Sequence, residues 1–294
     1  MSVKWLRGSD VNKISWDDCI THAFNGSVYG YSWFLDSVCW EWEALVADDY
    51  QMVMPLPIRK IVGFRTVVNP FLLPYVSIYS RVLPSAAIIQ QFIGAIPYRQ
   101  VKLTLLPFNG FPSLPQMQGI PTAMVSFDLI MDYDAVDQRF ASLFDMNRYS
   151  GWESHFSIAR TQNFGVYLDF RAAVGCSKSE EMLSLKRAIG YSLRFKSAGI
   201  YAAFDKVNMP MAMLVMMKTE NRLSVVDVAF HGDDCSRSGL FFILRQIIRI
   251  NAESNFVLQF PGEAFYLSKQ SKAFCLNGKQ YSRGVLRFMK KGHH

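Results

Sequence analysis

Short apolar runs and amphipathic stretches follow one another along this chain in an order that occurs twice: strand, helix, several strands joined by turns, helix, strand, strand. In the first half the apolar spacing predicts a strand over Val3–Leu6, a helix over Val11–Phe24 and a short helix over Tyr31–Cys39. Strands follow at Ala44–Ala47, Gln51–Ile58, Thr66–Val68 and Tyr75–Tyr79, punctuated by Asp48-Asp49, Gly63 and prolines. Ser85–Ile96 reads as a helix between Pro84 and Pro97, Val101–Leu105 as a strand, Pro107–Pro121 as a loop and Met124–Met131 as a closing strand. In the second half the pattern predicts a strand at Tyr167–Phe170, a helix over Ser179–Ala198, strands at Tyr201–Asp205, Ala212–Lys218 and Leu223–Phe230, and an amphipathic helix over Gly239–Ala252. A strand at Phe256–Phe260, a short helix over Glu263–Phe274 and a last strand at Tyr281–Phe288 complete it.

This order predicts an α/β protein of the α+β type with two domains, each a mostly antiparallel sheet flanked by helices. The expected division is residues 1–131, a helical linker over 132–165, and residues 166–291, with 292–294 set aside as a tag remnant. Half of the residues are apolar, enough for two cores and against disorder as the main state. No apolar run approaches the roughly 18 residues of a membrane span, and Lys4 and Arg7 interrupt the N-terminus, so a cytoplasmic chain is expected. The five cysteines are odd in number and contain no C-x-x-C pair; they read as buried free thiols rather than as a disulfide framework or metal site.

Charge is unevenly divided. Residues 1–140 hold 10 Lys+Arg against 12 Asp+Glu, whereas residues 141–294 hold 21 against 12, so the halves carry −2 and +9. A basic second half suits an anionic ligand or nucleic acid without choosing between them, and a solvated basic face is an equal reading. No Ser/His/Asp order, metal-ligand spacing, Walker loop or dinucleotide fingerprint is present.

Two stretches carry a resemblance to a known group. Trp42-Glu43-Ala44-Leu45-Val46-Ala47-Asp48-Asp49-Tyr50-Gln51-Met52-Val53-Met54-Pro55-Leu56-Pro57, followed by Arg59 and Lys60, and Leu258-Gln259-Phe260-Pro261-Gly262-Glu263, running on to Lys272-Ala273-Phe274, resemble passages of the tandem GNAT fold. That fold sets two acetyltransferase-like domains side by side, as in the FemAB-type aminoacyl transferases. The resemblance implies acyl transfer from acetyl-CoA or another acyl-CoA, or from a charged tRNA, to a small-molecule or peptide-like acceptor held in a groove between the domains. An alternative is a non-catalytic binding or structural protein on a degenerate scaffold of this kind.

The resemblance also assigns residues. Glu263 and His155 are the catalytic candidates, as general bases. Arg148, Arg160, Arg187, Arg194 and Lys272 are the substrate or anion contacts. His231, Arg237 and Gly239 stand where the family's glycine-rich loop receives the cofactor pyrophosphate at a helix N-terminus, but Asp233-Asp234 occupy the place of the phosphate. Those two carboxylates read better as caps of the helix that follows. Cys235 at the same helix start would have an acidified thiol but for these neighbours.

Overall fold

A computed structural model describes residues 2–105, 117–144, 151, 153–175, 179–195, 197–261 and 275–283. The chain divides into two compact units, one made of the residues before Met124 together with those from Leu276 on, the other of Met124–Cys275.

In the first unit β1 (Val3–Leu6) is followed by α1 (Lys13–His22) and α2 (Ser32–Val38). An antiparallel run comes next: β2 (Glu41–Ala47), β3 (Met52–Ile61) and β4 (Phe64–Val68). After the short β5 (Tyr79–Ser80), α3 (Ala86–Gly94) crosses over to β6 (Gln100–Leu105). A strand–helix–strand crossover delivers its second strand parallel to its first, and Thr66 to Val68 accordingly pair in parallel with Gln100 to Lys102. The strand order is β1-β2-β3-β4-β6-β13, with β5 set on β3; the C-terminal strand β13 (Cys275–Arg283) runs antiparallel to β6 from Val101 to Leu105. Helix starts follow their capping residues: the Asn12 side chain accepts from the Ile14 and Ser15 amides, and Ser85 accepts from that of Ile88. The core is aromatic, with Trp16 and Trp42 5.0 Å apart between ring centroids. Gly30 lies so close to the Tyr79 ring that a Cβ there would sit 2.7 Å from it, so only glycine fits.

The second unit takes β7 (Met117–Asp128) from Met124 on and then α4 (Tyr133–Phe144). β8 (Ser157–Thr161), α5 (Phe164–Val174) and α6 (Ser179–Arg194) precede the antiparallel β9 (Ala198–Phe204), β10 (Pro210–Lys218) and β11 (Arg222–Phe230). Again a helix, α7 (Asp234–Asn251), crosses to a parallel strand, β12 (Val257–Pro261). The order is β7-β12-β11-β10-β9-β8. One face is a continuous apolar core under α7 and α4, where Leu223, Val225, Leu258 and Phe260 meet Phe140, Leu244 and Ile248. α5 and α6 cover the other face over β9 to β11.

The expected fold class holds in each unit: a mostly antiparallel sheet with one parallel pair, flanked by helices. Three expectations differ in detail. The stretch expected as a helical linker, 132–165, contains α4 but also the strand β8, which pairs antiparallel with β9. Tyr167–Phe170, expected as a strand, lies inside α5, because a four-residue apolar run fits either period and Asn163 caps a helix by accepting from the Gly165 amide. The last strand, expected to close the second domain, pairs with β6 of the first unit, and β7 pairs with β12 of the second. No local pattern shows such an exchange, because it depends only on which distant edge a strand meets. The helix expected over Glu263–Phe274 lies outside the described residues.

Cys19 and Cys39 are buried free thiols, as expected, and burial pushes the Cys19 thiol up to about 11. No helix among the described residues is long and apolar enough to cross a membrane.

Candidate functional site

The second unit contains a place where its sheet opens. Parallel pairing of β11 with β12 covers only Arg222, Leu223 and Ser224, opposite Val257, Leu258 and Gln259. Beyond Ser224, β11 runs on to Phe230 paired with β10 alone among the described residues, while Phe260 and Pro261 pair with Val125 and Met124 of β7. The strands therefore fork. A strand that runs on past its neighbour on one side is a template for an extended amide-bearing chain. Among the described residues of the first unit no such opening is seen: β4 ends at Val68, the β6 edge is bridged by Val76 opposite Leu105, and the Thr104 amide donates to Asn69 at 2.8 Å.

Close to the fork, β11 carries a β-bulge. Val215 pairs with Asp227 and Met216 with Val225, so Val226 is the extra residue. A bulge reverses the alternation of faces beyond it. Val228 and Phe230 consequently return to the apolar core under α7, and Asp227 turns to the α5 face. There its Oδ2 accepts from Tyr167 Oη at 2.8 Å and Arg171 Nε at 2.9 Å, both from α5. Asp227 and Arg171 are only 9% and 15% exposed at the side chain. Burial raises the Asp227 carboxyl above its ordinary range against the pull of Arg171, and pushes the Tyr167 phenol well up. This triad escapes motif searches, yet it has a sequence signal: a lone carboxylate within the apolar run Val225-Val226-Asp227-Val228.

The loop expected to receive the cofactor leads from β11 into α7. His231 is exposed, its ring edge-on to Phe170 at 5.4 Å. Asp233 is the N-cap of α7: its Oδ1 accepts from the Ser236 amide at 2.8 Å, which holds its carboxyl below the ordinary range. Asp234 adds a second negative charge in the first turn and lies 3.7 Å from Arg237. Gly239 is buried, where a Cβ would sit 3.4 Å from those of Ala203 and Met211, so it belongs to helix–sheet packing. The Cys235 thiol is raised by burial and then by Asp233, not acidified by the helix. The turn ending at His155 lies on α7, where Phe156 approaches Gly239 and Phe242, and His155 itself is exposed.

Asp233→Ala is expected to cost the second unit about 0.5–2 kcal/mol through loss of the cap. A depressed carboxyl contributes stability that is present above its unfolded pKa and lost as the pH falls through the folded one. The difference between variant and wild type should therefore be full at neutral pH and shrink below the ordinary 3.8, as followed by urea unfolding at both extremes.

The remaining expected anion contacts are dispersed. Arg160 lies on the edge strand β8 with its guanidinium over Tyr201 at 5.8 Å, four strands from β12, or about 19 Å at the usual spacing. Arg187 and Arg194 lie on the exposed face of α6, on the side of the sheet opposite α7. Glu263, Arg148 and Lys272 lie outside the described residues. No group of three metal-ligating side chains is found among the described residues.

No protein-family model matches the chain, and no curated protein matches it by sequence. Solved structures do. FemX is similar with a TM-score of 0.58 at 8% identity, over 96% of this chain and 97% of FemX. A conserved protein of unknown function from Bacteroides thetaiotaomicron VPI-5482 is similar with a TM-score of 0.56 at 11% identity, over 94% and 98%. A C-terminal domain described as that of a lysylphosphatidylglycerol synthetase from Agrobacterium fabrum gives 0.52 at 11% identity, over 93% and 92%. At such identities it is the fold that is shown: the chain shares the fold of FemX over nearly its whole length.

Proposed function

We propose that this protein is an acyltransferase whose acyl donor is bound by the second unit. The observation that carries the reading is the fork between β11 and β12, because an extended donor arm with in-line amides, as in acetyl-CoA or another acyl-CoA, pairs with an open strand edge as a further strand would. In this reading the amine of a small-molecule or peptide-like acceptor attacks the donor carbonyl. The new C–N bond forms, the C–S bond of the thioester breaks, the amine proton passes to a base and the thiolate leaves. Glu263, two residues beyond the end of β12 in the chain, is the preferred base, with His155 the other candidate. His231 and Arg237 mark the cofactor loop, and Arg148 and Lys272 supply charge for anionic parts of donor or acceptor; Arg160, Arg187 and Arg194 are too dispersed to join them.

A specific observation favours a second reading, a binding protein without transfer or a transferase using charged tRNA. The α7 start is already capped by Asp233 and carries Asp234, so a pyrophosphate meets carboxylates where it would need free amides. Calorimetric titration with acetyl-CoA and with CoA at low salt separates these readings. Saturable binding, tightened at least tenfold in Asp233→Asn, Asp234→Asn, is the expected result. No heat at millimolar ligand with either protein would remove the acyl-CoA donor and leave the tRNA-dependent and non-catalytic readings.

A further inference from the structure

The outer face of α6 holds two arginines that the candidate site leaves aside. One row of side chains at i, i+4 spacing runs Leu183, Arg187, Tyr191, Phe195, and the row beside it runs Lys186, Gly190, Arg194. Phe195, one residue beyond the helix, continues its last turn, its amide donating to the Tyr191 carbonyl at 3.3 Å. Leu183 is 55% exposed, Tyr191 47% and Phe195 63%, and the three cations are exposed as well. The rings of Tyr191 and Phe195 lie 6.1 Å apart between centroids, 31° from parallel. An amphipathic helix turns its apolar side chains inward. Here Leu185, Ala188 and Ile189 already fill the inner face, so the outer apolar groups are surplus to the core.

The charge on this face has one sign. Glu180 and Glu181 lie in the first turn, where they suit the helix dipole, and from Met182 to Arg194 no acidic residue follows. None of Lys186, Arg187 and Arg194 forms an ion pair with a described residue. Gly190 is their centre: Lys186 and Arg187 precede it by four and three residues, and Arg194 follows it by four. A Cβ at Gly190 would meet nothing within 4 Å. Glycine weakens a helix interior relative to alanine, and neither close packing nor a positive φ requires it here. Its effect is to leave bare backbone between three cations, where a bulky anionic group can approach closely.

We infer that this face of α6 docks the protein on an anionic lipid surface. Acidic headgroups settle over Gly190 between Lys186, Arg187 and Arg194, while Leu183, Tyr191 and Phe195 enter the headgroup region, the level at which amphipathic rings settle in a bilayer. The helix lies on the membrane and does not cross it. Nucleic acid matches the charge but not the apolar groups: Leu183 has no role against a hydrated phosphodiester chain, and the Tyr191 and Phe195 rings lie against each other instead of standing apart as platforms for successive bases. Each cation near an acidic bilayer contributes roughly fivefold to affinity. None of this rests on the acyl-transfer reading.

Co-sedimentation of the full-length protein with phosphatidylcholine vesicles, and with the same vesicles containing phosphatidylserine, tests the docking; single-stranded poly(U) is titrated in a separate arm. The expected result is binding to the phosphatidylserine vesicles alone, weakened by added salt and reduced roughly 25-fold in Arg187→Gln, Arg194→Gln. Lys4→Gln, Arg7→Gln removes the same charge from exposed residues of the first unit and should bind nearly as the wild type does. Gly190→Glu puts a carboxylate among the cations, in open space and with a better helix former. It should therefore melt no lower than the wild type yet bind about tenfold more weakly, which separates docking from folding. Tyr191→Ser, Phe195→Ser should lower the affinity severalfold and leave the salt dependence unchanged. Absence of binding to the acidic vesicles, an equal loss in the two charge-removing pairs, or full binding by Gly190→Glu overturns the inference. Poly(U) held through the same arginines, with no vesicle binding, assigns the face to nucleic acid and removes the lipid surface.

Discussion

Asp227→Ala is expected to destabilise the second unit by about 3–5 kcal/mol, the usual result of removing one partner of a buried ion pair. The carboxylate at 9% exposure is the acceptor for Arg171, itself 15% exposed, and for the wholly buried Tyr167. Truncation leaves a guanidinium and a phenol without the acceptor that justified their burial. Asp227→Asn is expected to cost less, because its oxygen still accepts from Tyr167 while only the counter-charge of Arg171 is lost. The chain has two units, so a single melting curve need not be two-state. Amide exchange of the β10 and β11 backbone is the appropriate measurement, and protection unchanged in Asp227→Ala would show that the triad contributes nothing.

The same triad sets a pH dependence. An acid whose folded pKa is raised holds its proton where the unfolded chain has released it, so stability falls as the pH rises from the ordinary 3.8 through the folded value. Arg171 opposes that rise. In Arg171→Met the opposition is gone, the Asp227 carboxyl moves further up, and the window widens. The variant should therefore gain stability steeply between neutral pH and pH 4, relative to wild type over the same range.

Much of this architecture is legible in the sequence, for reasons that can be named. Ser179–Arg194 and Asp234–Asn251 have a sustained helical period, and the strands from Ala198 to Phe230 are separated by turn residues such as Asn208 and Asn221. Local periodicity and turn chemistry are sufficient there. They are insufficient at Tyr167–Phe170, where the run is too short to have a period, and at β13, whose partner lies more than 170 residues earlier. The site is less legible than the fold. The capping role of Asp233 follows from its place before the helix. The bulge at Val226, which aims Asp227 at α5, arises only when strands pair. What a pattern search does offer is the anomaly of a polar residue inside an apolar run, at Asp227, which proves to be the centre of a buried network.

Glu43→Ala is the second substitution expected to have a large effect, about 1–3 kcal/mol in the first unit, from the loss of hydrogen bonds to a charged acceptor. Its side chain is 2% exposed on β2 and receives three donors from other parts of the chain. Trp5 Nε1 of β1 donates at 2.8 Å and Tyr98 Oη at 2.6 Å to one carboxylate oxygen, and Arg65 of β4 donates at 2.6 Å to the other. One carboxylate thus ties β1, β2, β4 and the segment after α3 together, and its removal leaves the indole and phenol donors unmatched. Glu43→Gln should lose less, since one oxygen still serves Trp5 and Tyr98, and Arg65 keeps Glu41 at 2.6 Å on the exposed side. Burial, reinforced by Glu43, pushes the Tyr98 phenol up to about 12. The unfolded chain releases that proton near the ordinary 10, so stability falls as the pH rises from 10 towards 12. Tyr98→Phe should be less stable than wild type at neutral pH, and its own loss across that alkaline range should be smaller. Urea titrations at pH 7, 10 and 11.5 measure both effects. Parallel losses in the two proteins would show that Tyr98 does not sense Glu43, and the network would then reduce to the Arg65–Glu43 pair alone.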